Sequence, residues 1–494
     1  MRYWGADNFN MGEIRKQTIS GVKWTAIENF SLKFIQFFVG IVLARMLTPA
    51  DYGLIGMLGI FTAVASTFVD SGMSNALIRK QNADNNDYNT VFIFNIVVSC
   101  LVYVILFFAA PYIAVFFKSP ILCDITRVIS LNLIIGSLAG VQTAYFNKNL
   151  EFKNLAGISV ATSIVSGVIG IAMAYMGYGV WALVWQSLVS TLFSTIFKWY
   201  ISKWKPCLQF SKASFQDLFG YGSKLLASSL LHTIYTNLTT LFIGKFYTPN
   251  ALGFYSRGES WPTLLEGTII GVLGKVTFPI LAKLQDDKGK LLTVYRKYIQ
   301  TTSLPIFFGL ILLCALSRPL ICLVLTDKWL PAVPYMQIFC FVYLLDNVCI
   351  LNLNLLQVLG RSDLFLRLEI IKKSISVGML LCAVPFGVMA ICIMKLIYAQ
   401  IAVIVNTYYT GKLFKLGYFQ QLKDFGPYII YSVIASIPAF LLTYTNLSNI
   451  LIVMIGSITS AILYSMFLII SKDKVFKEYI VMGFMNRLKA IRCK

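Results

Sequence analysis

Long apolar runs alternate with short polar breaks along nearly the whole chain. Their approximate limits are 20–43, 51–78, 88–117, 122–146, 154–176, 179–200, 216–244, 251–282, 291–315, 332–358, 362–384, 387–410, 426–444 and 449–471. Each approaches or exceeds the ~20 residues that a spanning helix needs, so the pattern predicts about fourteen membrane spans. The two-residue alternation of an outer-membrane barrel is missing. Backbone groups in lipid must satisfy one another, so the expected fold is an all-α polytopic membrane protein.

One stretch occurs twice. Residues 44–57 read ARMLTPADYGLIGM and residues 244–257 read GKFYTPNALGFYSR. Thr48-Pro49 matches Thr248-Pro249 and Gly53 matches Gly253, at a constant offset of 200 residues. Each copy reads as a helix start, with threonine as N-cap and proline just inside, where its missing N–H costs nothing. Gly177-Tyr-Gly-Val-Trp-Ala matches Pro385-Phe-Gly-Val-Met-Ala, and Asn147-Lys148 aligns with Gly360-Arg361. The repeat therefore predicts two six-helix lobes in tandem, in parallel orientation, plus two extra C-terminal helices. The expected divisions are an N-lobe at 1–200, a cytoplasmic linker at 201–213, a C-lobe at 214–411, helices 13 and 14 within 412–471, and a basic tail at 472–494. The tail is partly amphipathic and suits an anionic membrane surface.

Composition agrees: 57% of residues are hydrophobic and 13% are charged, with mean hydropathy +0.73. The net charge of +21 does not indicate nucleic acid, because the basic residues sit at span ends rather than on a soluble face. Taking alternate breaks as opposite sides, roughly thirty lysines and arginines fall on one side and about seven on the other. This assigns both termini to the cytoplasm. The set counted on that side includes Arg361, Arg367, Lys372 and Lys373. The ten cysteines are scattered without metal-ligand spacing and read as small packing residues. No metal or cofactor is expected, and the single histidine, His232, gives histidine catalysis little to work with. No cleavable signal peptide is visible; Met11 reads as an alternative start, which would make 1–10 an upstream extension. Trp24, Trp181, Trp185, Trp199, Trp204, Trp261 and Trp329 fall mostly near span ends, as an interfacial belt would.

Polar residues inside spans are costly and are the first candidates for function. Span 1 carries Glu28, Asn29, Lys33 and Gln36; span 2 carries Asp70, and Ser71-Gly72 after it suggests a kink. Span 7 carries Lys224, His232 and Asn237, and span 8 carries Arg257, Glu259, Glu266 and Lys275. Span 10 has Asp346, Asn354 and Gln357 on one stripe, and span 12 has Lys395. Spans 1, 2, 7 and 8 are equivalent positions in the two halves, where a two-lobed transporter would place its cavity. The cations Lys33, Arg45, Lys224, Lys245 and Arg257 suit a phosphate-bearing substrate. Each polar residue also has a structural alternative, as a snorkelling side chain or a register-fixing ion pair.

Leu43-Ala-Arg-Met-Leu-Thr-Pro-Ala-Asp-Tyr-Gly53 and Phe68-Val-Asp-Ser-Gly-Met-Ser-Asn-Ala-Leu-Ile-Arg79 resemble the N-terminal signature of Wzx-type polysaccharide transporters, relatives of colanic acid exporters. Asp87-Tyr-Asn-Thr-Val-Phe and Asp327-Lys-Trp329 also resemble that family. The resemblance implies the multidrug/oligosaccharidyl-lipid/polysaccharide flippase superfamily, with two lobes forming a V around a central cavity. It implies alternating-access flipping of undecaprenyl-diphosphate-linked oligosaccharide across the bacterial inner membrane, for capsule, exopolysaccharide or O-antigen assembly. By that similarity, lumen cations would bind the diphosphate, with Arg45 inside the family signature. The second copy departs from the first at Asn250-Ala251, so any role of Asp51 is not duplicated. Glu28, Glu266 and Asp346 are candidates for a coupling proton or Na⁺, and a membrane polysaccharide polymerase is a candidate partner. The alternative is an ion-coupled multidrug or metabolite antiporter on the same fold, whose cavity should be acidic and aromatic. A membrane polymerase or ligase would need a catalytic surface outside the membrane, and the predicted loops are too short for one.

Overall fold

The computed structural model describes residues 31–207 and 209–478, except the side chains of 272–276. Glu28, Asn29, Trp24 and the basic tail beyond 478 lie outside the described residues, as does the Lys275 side chain. Among the described residues all regular structure is helical.

The chain divides into two compact units, 1–253 and 254–494. The first holds α1 (31–46), α2 (Pro49–Asp70), α3 (Met73–Arg79), α4 (Asn85–Phe116), α5 (Ile121–Ile129), α6 (Leu131–Ser137), α7 (Gly140–Lys148), α8 (Phe152–Tyr175), α9 (Val180–Ile201) and α10 (Lys212–Phe246). The start of α11 (Pro249–Lys283) completes it. The second holds the rest of α11, then α12 (Lys288–Ala315), α13 (Ser317–Val324), a 3₁₀ turn at Asp327–Ala332, α14 (Val333–Val342), α15 (Asp346–Val358), α16 (Ser362–Ala383), α17 (Val388–Phe414), α18 (Tyr418–Leu442) and α19 (Asn449–Ile470).

Among the described residues nine helical segments are long and apolar enough to cross a membrane, or ten when the bent run from Ile121 to Lys148 is one span. The other four expected spans correspond to α1, described only from residue 31, and to α10, α11 and α16, which are long but carry more charge. Three spans are not continuous rods. Span 2 breaks at Ser71 and Gly72, both in the left-handed region, so the expected kink is present. Span 4 is three short helices, α5 to α7, and span 10 is interrupted at 343–345 between α14 and α15.

In the first unit Met73, Leu77, Tyr88, Phe92 and Trp204 form one core. In the second, Tyr295, Phe307, Leu355 and Phe425 are completely buried in another. The added helices join that core. The Tyr464 ring stacks on Phe308 at 4.5 Å, and its hydroxyl donates to the Leu304 carbonyl at 2.8 Å.

Candidate functional site

The two copies of the repeated motif meet within the first unit. Thr48 caps α2 through a full capping box: its hydroxyl accepts from Asp51 N at 3.3 Å, and Asp51 accepts from Thr48 N at 2.8 Å. Among the described residues Thr248 caps α11 with a bond from Ala251 N at 3.2 Å, and alanine stands where Asp51 stood. Asp51 thus completes a cap that alanine cannot complete in the second copy. A Cβ on Gly53 would lie 1.8 Å from the Pro249 carbonyl oxygen, and one on Gly253 would lie 1.9 Å from that of Pro49. The contact is reciprocal, and each glycine is required by the other copy's backbone. A second close approach joins α3 to α10, where a Cβ on Gly72 would lie 2.6 Å from the Gly222 carbonyl oxygen.

Four of the cationic candidates lie in the first unit, on α1 and α10. Lys33 is half-buried and Arg45 is exposed on α1; Lys224 is exposed on α10. Lys245 donates to the Phe116 carbonyl at 2.8 Å and lies 3.9 Å from the Phe116 ring centroid, so it holds the C-terminal end of α4. Arg257, in the second unit, lies over the Trp329 ring at 5.4 Å. Of the neutral candidates on α10, His232 is exposed and Asn237 donates to the Thr233 carbonyl at 2.8 Å. The Thr67 and Thr233 hydroxyls meet at 3.2 Å, binding α2 to α10, and Asp70 is exposed at the end of α2.

The second unit brings Glu259 to Lys395 and Glu266 to Asp346. Glu259 on α11 accepts from Lys395 Nζ at 3.0 Å and from the Tyr343 hydroxyl at 2.8 Å. Lys395 also donates to the Tyr255 hydroxyl at 2.6 Å, and Tyr255 is completely buried. Glu266 follows Glu259 by seven residues, on the same face of α11. It is buried, and its carboxyl acts on that of Asp346 at the start of α15. Lys372, also buried, acts electrostatically on Asp346 and pairs with Glu369 at 2.5 Å. Four helices, α11, α15, α16 and α17, thus contribute charge to one interior. Asn354 is half-buried and Gln357 exposed, and neither joins this network.

Sequence reasoning missed Tyr255 and Tyr343, and it placed Lys372 and Lys373 among loop charges. Both lysines lie well inside α16. Glu369 with Lys372 at i,i+3 was the signal available. Two carboxyls acting on each other in a buried site ionise together only at a cost, because like charges raise one another's affinity for a proton. The arrangement can therefore hold or release a proton within a network that lysines keep close to neutral.

The first unit offers a different interior. A cavity of about 370 Å³ opens among α1, α2, α8 and α9, lined by Gln36, Tyr52, Ser163, Ser166, Gln186 and Ser190 among others. Its polar lining is uncharged. Gln36 is the sequence candidate that reaches it.

Other motif residues have structural work. Asp87 and Asp84 form a capping box on α4, and Asp87 binds Lys80 at 2.9 Å. That hydrogen bond, together with one to Asp217, raises the Lys80 ammonium above its ordinary pKa. Asn89 accepts from Cys207 N at 2.9 Å and Thr90 from Ser211 N at 3.0 Å, so the motif fastens the segment after α9. Trp204 in that segment is buried beside Tyr88 and Phe92, and Trp329 is completely buried. These two tryptophans belong to the core and not to an interfacial belt.

The chain is 27% identical over 362 residues to the teichuronic acid biosynthesis protein TuaB of Bacillus subtilis strain 168, covering 72% of this chain and 74% of that one. It is 25% identical to the lipopolysaccharide biosynthesis protein WzxC of Escherichia coli strain K12, covering 73% of each. Among solved structures it is similar to the lipid II flippase MurJ in an inward closed conformation. That match has a TM-score of 0.72 at 14% identity and covers 90% of this chain and 98% of that one. The likeness in coordinates establishes the fold: an all-helical, multi-pass membrane protein. The family model described as polysaccharide biosynthesis protein matches residues 42–334, well over half of the sequence, and the chain belongs to that family.

Proposed function

We propose that this chain is a flippase that carries lipid-linked oligosaccharide repeat units across the bacterial inner membrane, with both termini in the cytoplasm. The observation that carries the reading is a polysaccharide biosynthesis family match on a chain built of spanning helices. A protein of that build handles its glycan at the membrane. A sugar-diphosphate head cannot cross hydrocarbon unaided, whereas a polyprenyl tail remains in lipid. The names of TuaB and WzxC place those proteins in cell-envelope glycan assembly, and the fold match is to a lipid flippase. The chain acts as a transporter and not as an enzyme, and undecaprenyl-diphosphate-linked oligosaccharide is its substrate. A membrane polymerase is the partner that would consume the product.

In this reading the two Thr-Pro…Gly copies, locked at Gly53 and Gly253, form a closed end of the substrate path, and flipping requires them to part. Arg45 and Lys33 attract the diphosphate. The Glu266–Asp346 pair binds the coupling proton, which it releases when Lys372 or Lys395 shifts toward it.

The test is the sidedness of lipid-linked repeat units in cells lacking the protein. Accumulation in the inner leaflet, with surface glycan restored by wild type and reduced at least tenfold by Arg45→Ala, is the expected result; tenfold corresponds to about 1.4 kcal/mol. Normal surface glycan with no trapped intermediate, in a strain without a second exporter, overturns the flippase. A flipping rate indifferent to the proton gradient, or unchanged in Asp346→Asn, overturns the coupling site alone.

A further inference from the structure

A basic pocket of about 650 Å³ lies in the second unit, away from the charged interior described above. Its walls are the first turns of α12, the end of α17, the start of α18 and the segment after α19. Five cations border it: Arg296, Lys297, Lys415, Lys423 and Lys474. Two already have carboxylates. Asp424 accepts from Arg296 Nη2 at 2.6 Å and from Arg296 Nε at 2.8 Å, and Glu478 pairs with Lys297. Lys415, Lys423 and Lys474 are exposed, with no ion pair among the described residues. About three positive charges are thus left uncompensated around one concavity, a surplus that attracts an anion.

The frame beneath it is fixed by side chains. Gln421 is completely buried; its amide donates to Asn352 Oδ1 at 3.0 Å and to the Leu416 carbonyl at 3.0 Å, and Asn352 donates back at 2.9 Å. Tyr428 donates to Asp473 at 2.8 Å, and Asp473 also accepts from Phe476 N at 2.7 Å. These bonds tie α15, α18, the turn after α17 and the segment after α19 together at the level of the pocket. Leu292, Phe414 and Val475 give it an apolar side. Lys415 is held at φ +56°, a left-handed conformation that favours glycine or asparagine.

We infer that this pocket binds the phosphate group of an anionic phospholipid of the membrane leaflet at this end of the helices. The combination of unpaired lysines and an apolar wall matches a headgroup with acyl chains attached. The C-terminal segment of the same chain is the wrong occupant, since residues 479–494 carry Arg487, Lys489, Arg492 and Lys494 and no acidic side chain. The site is independent of the flippase reading.

The test uses the full chain in detergent micelles, titrated with dioleoylphosphatidylglycerol, with dioleoylphosphatidylcholine and inorganic pyrophosphate as separate arms. The readout is the thermal midpoint. Phosphatidylglycerol should raise the midpoint and phosphatidylcholine should not. The concentration giving half the effect should rise about fivefold for each of Lys423→Gln and Lys474→Gln. Lys415→Gly should weaken the response similarly without lowering the lipid-free midpoint, because glycine suits that backbone. This variant separates lost binding from lost folding. An undiminished response in the Lys423→Gln/Lys474→Gln double variant overturns the site, as does equal stabilisation by the two lipids. A pyrophosphate effect with the same dependence on the variants overturns the lipid assignment in favour of a free phosphate ligand.

Discussion

The two helices that follow the repeated motif, α2 and the matching part of α11, begin alike and then diverge. Each starts at Thr-Pro and places a glycine against the other copy's proline carbonyl. Beyond that, α2 buries Leu54, Met57, Leu58 and Ile60 and keeps its one late charge, Asp70, exposed. α11 instead carries Glu259 and Glu266 into an interior with Lys395, Asp346 and Lys372. The cavity of the first unit is lined by neutral serine, glutamine and tyrosine, whereas the interior of the second is ionised. A backbone approach closer than a Cβ allows no substitution in either copy, so both keep the glycine. Side chains facing an enclosed space have no such veto, and one half has taken on the charge.

The strongest way to break the comparison is to attack what the halves share. Gly53→Ala puts a methyl 1.8 Å from a backbone oxygen, which cannot move aside as a side chain would. It should cost about 3 kcal/mol and abolish complementation of surface glycan. Gly253→Ala should do the same, and the double variant should fall well short of the sum because the contact is shared. Additive losses in thermal midpoint would show two separate contacts.

Next comes what the halves do not share. Lys395→Met leaves Glu259 in a part-buried site with only the tyrosine hydroxyl and should lower stability by about 2–3 kcal/mol. Adding Glu259→Gln should recover more than half of that. No recovery would mean that Lys395 acts by packing over Tyr255 and Phe339 rather than by charge. No matching sensitivity is expected in the first unit: Ser166→Ala in the neutral cavity should change the midpoint by less than about 0.5 kcal/mol.

The smallest effects compare the caps. Asp51→Ala should cost about 1 kcal/mol, and Ala251→Asp should gain about 0.5 kcal/mol by completing the second capping box. Equal and negligible shifts would show that the glycine contact alone holds these helix starts.

The helices were legible because lipid demands long apolar runs, and among the described residues every expected span has a helical counterpart, span 1 from residue 31 onward. The breaks were less so. Ser71-Gly72 announced itself through glycine, and Gly136 and Gly140 flank the break between α6 and α7, but the division of α14 from α15 falls in apolar sequence without a comparable signal. Hydropathy records what a side chain prefers and says little about where a backbone bends. For the site, Glu259, Glu266 and Asp346 stood out because a carboxyl in an apolar run is conspicuous. Lys372 did not, because a lysine near a span end looks like any boundary charge until its neighbours are known. Tyr255 and Tyr343 were hidden among twenty-six tyrosines.

The segment after α9 bears on biogenesis. Asn89, Thr90, Tyr88 and Phe92 on α4 hold Trp204, Cys207 and Ser211 in place. All partners in this clasp are synthesised before α10 is complete. The first six spans can therefore close their own surface while the ribosome is still translating the rest, sparing an unfinished bundle from trapping later helices in the wrong order. Nascent chains arrested with about 40 residues beyond Lys212, enough to clear the ribosomal exit, should already protect residues 203–211 from protease. Asn89→Ala/Thr90→Ala chains should not, and equal protection in both would show that the clasp forms only after synthesis ends.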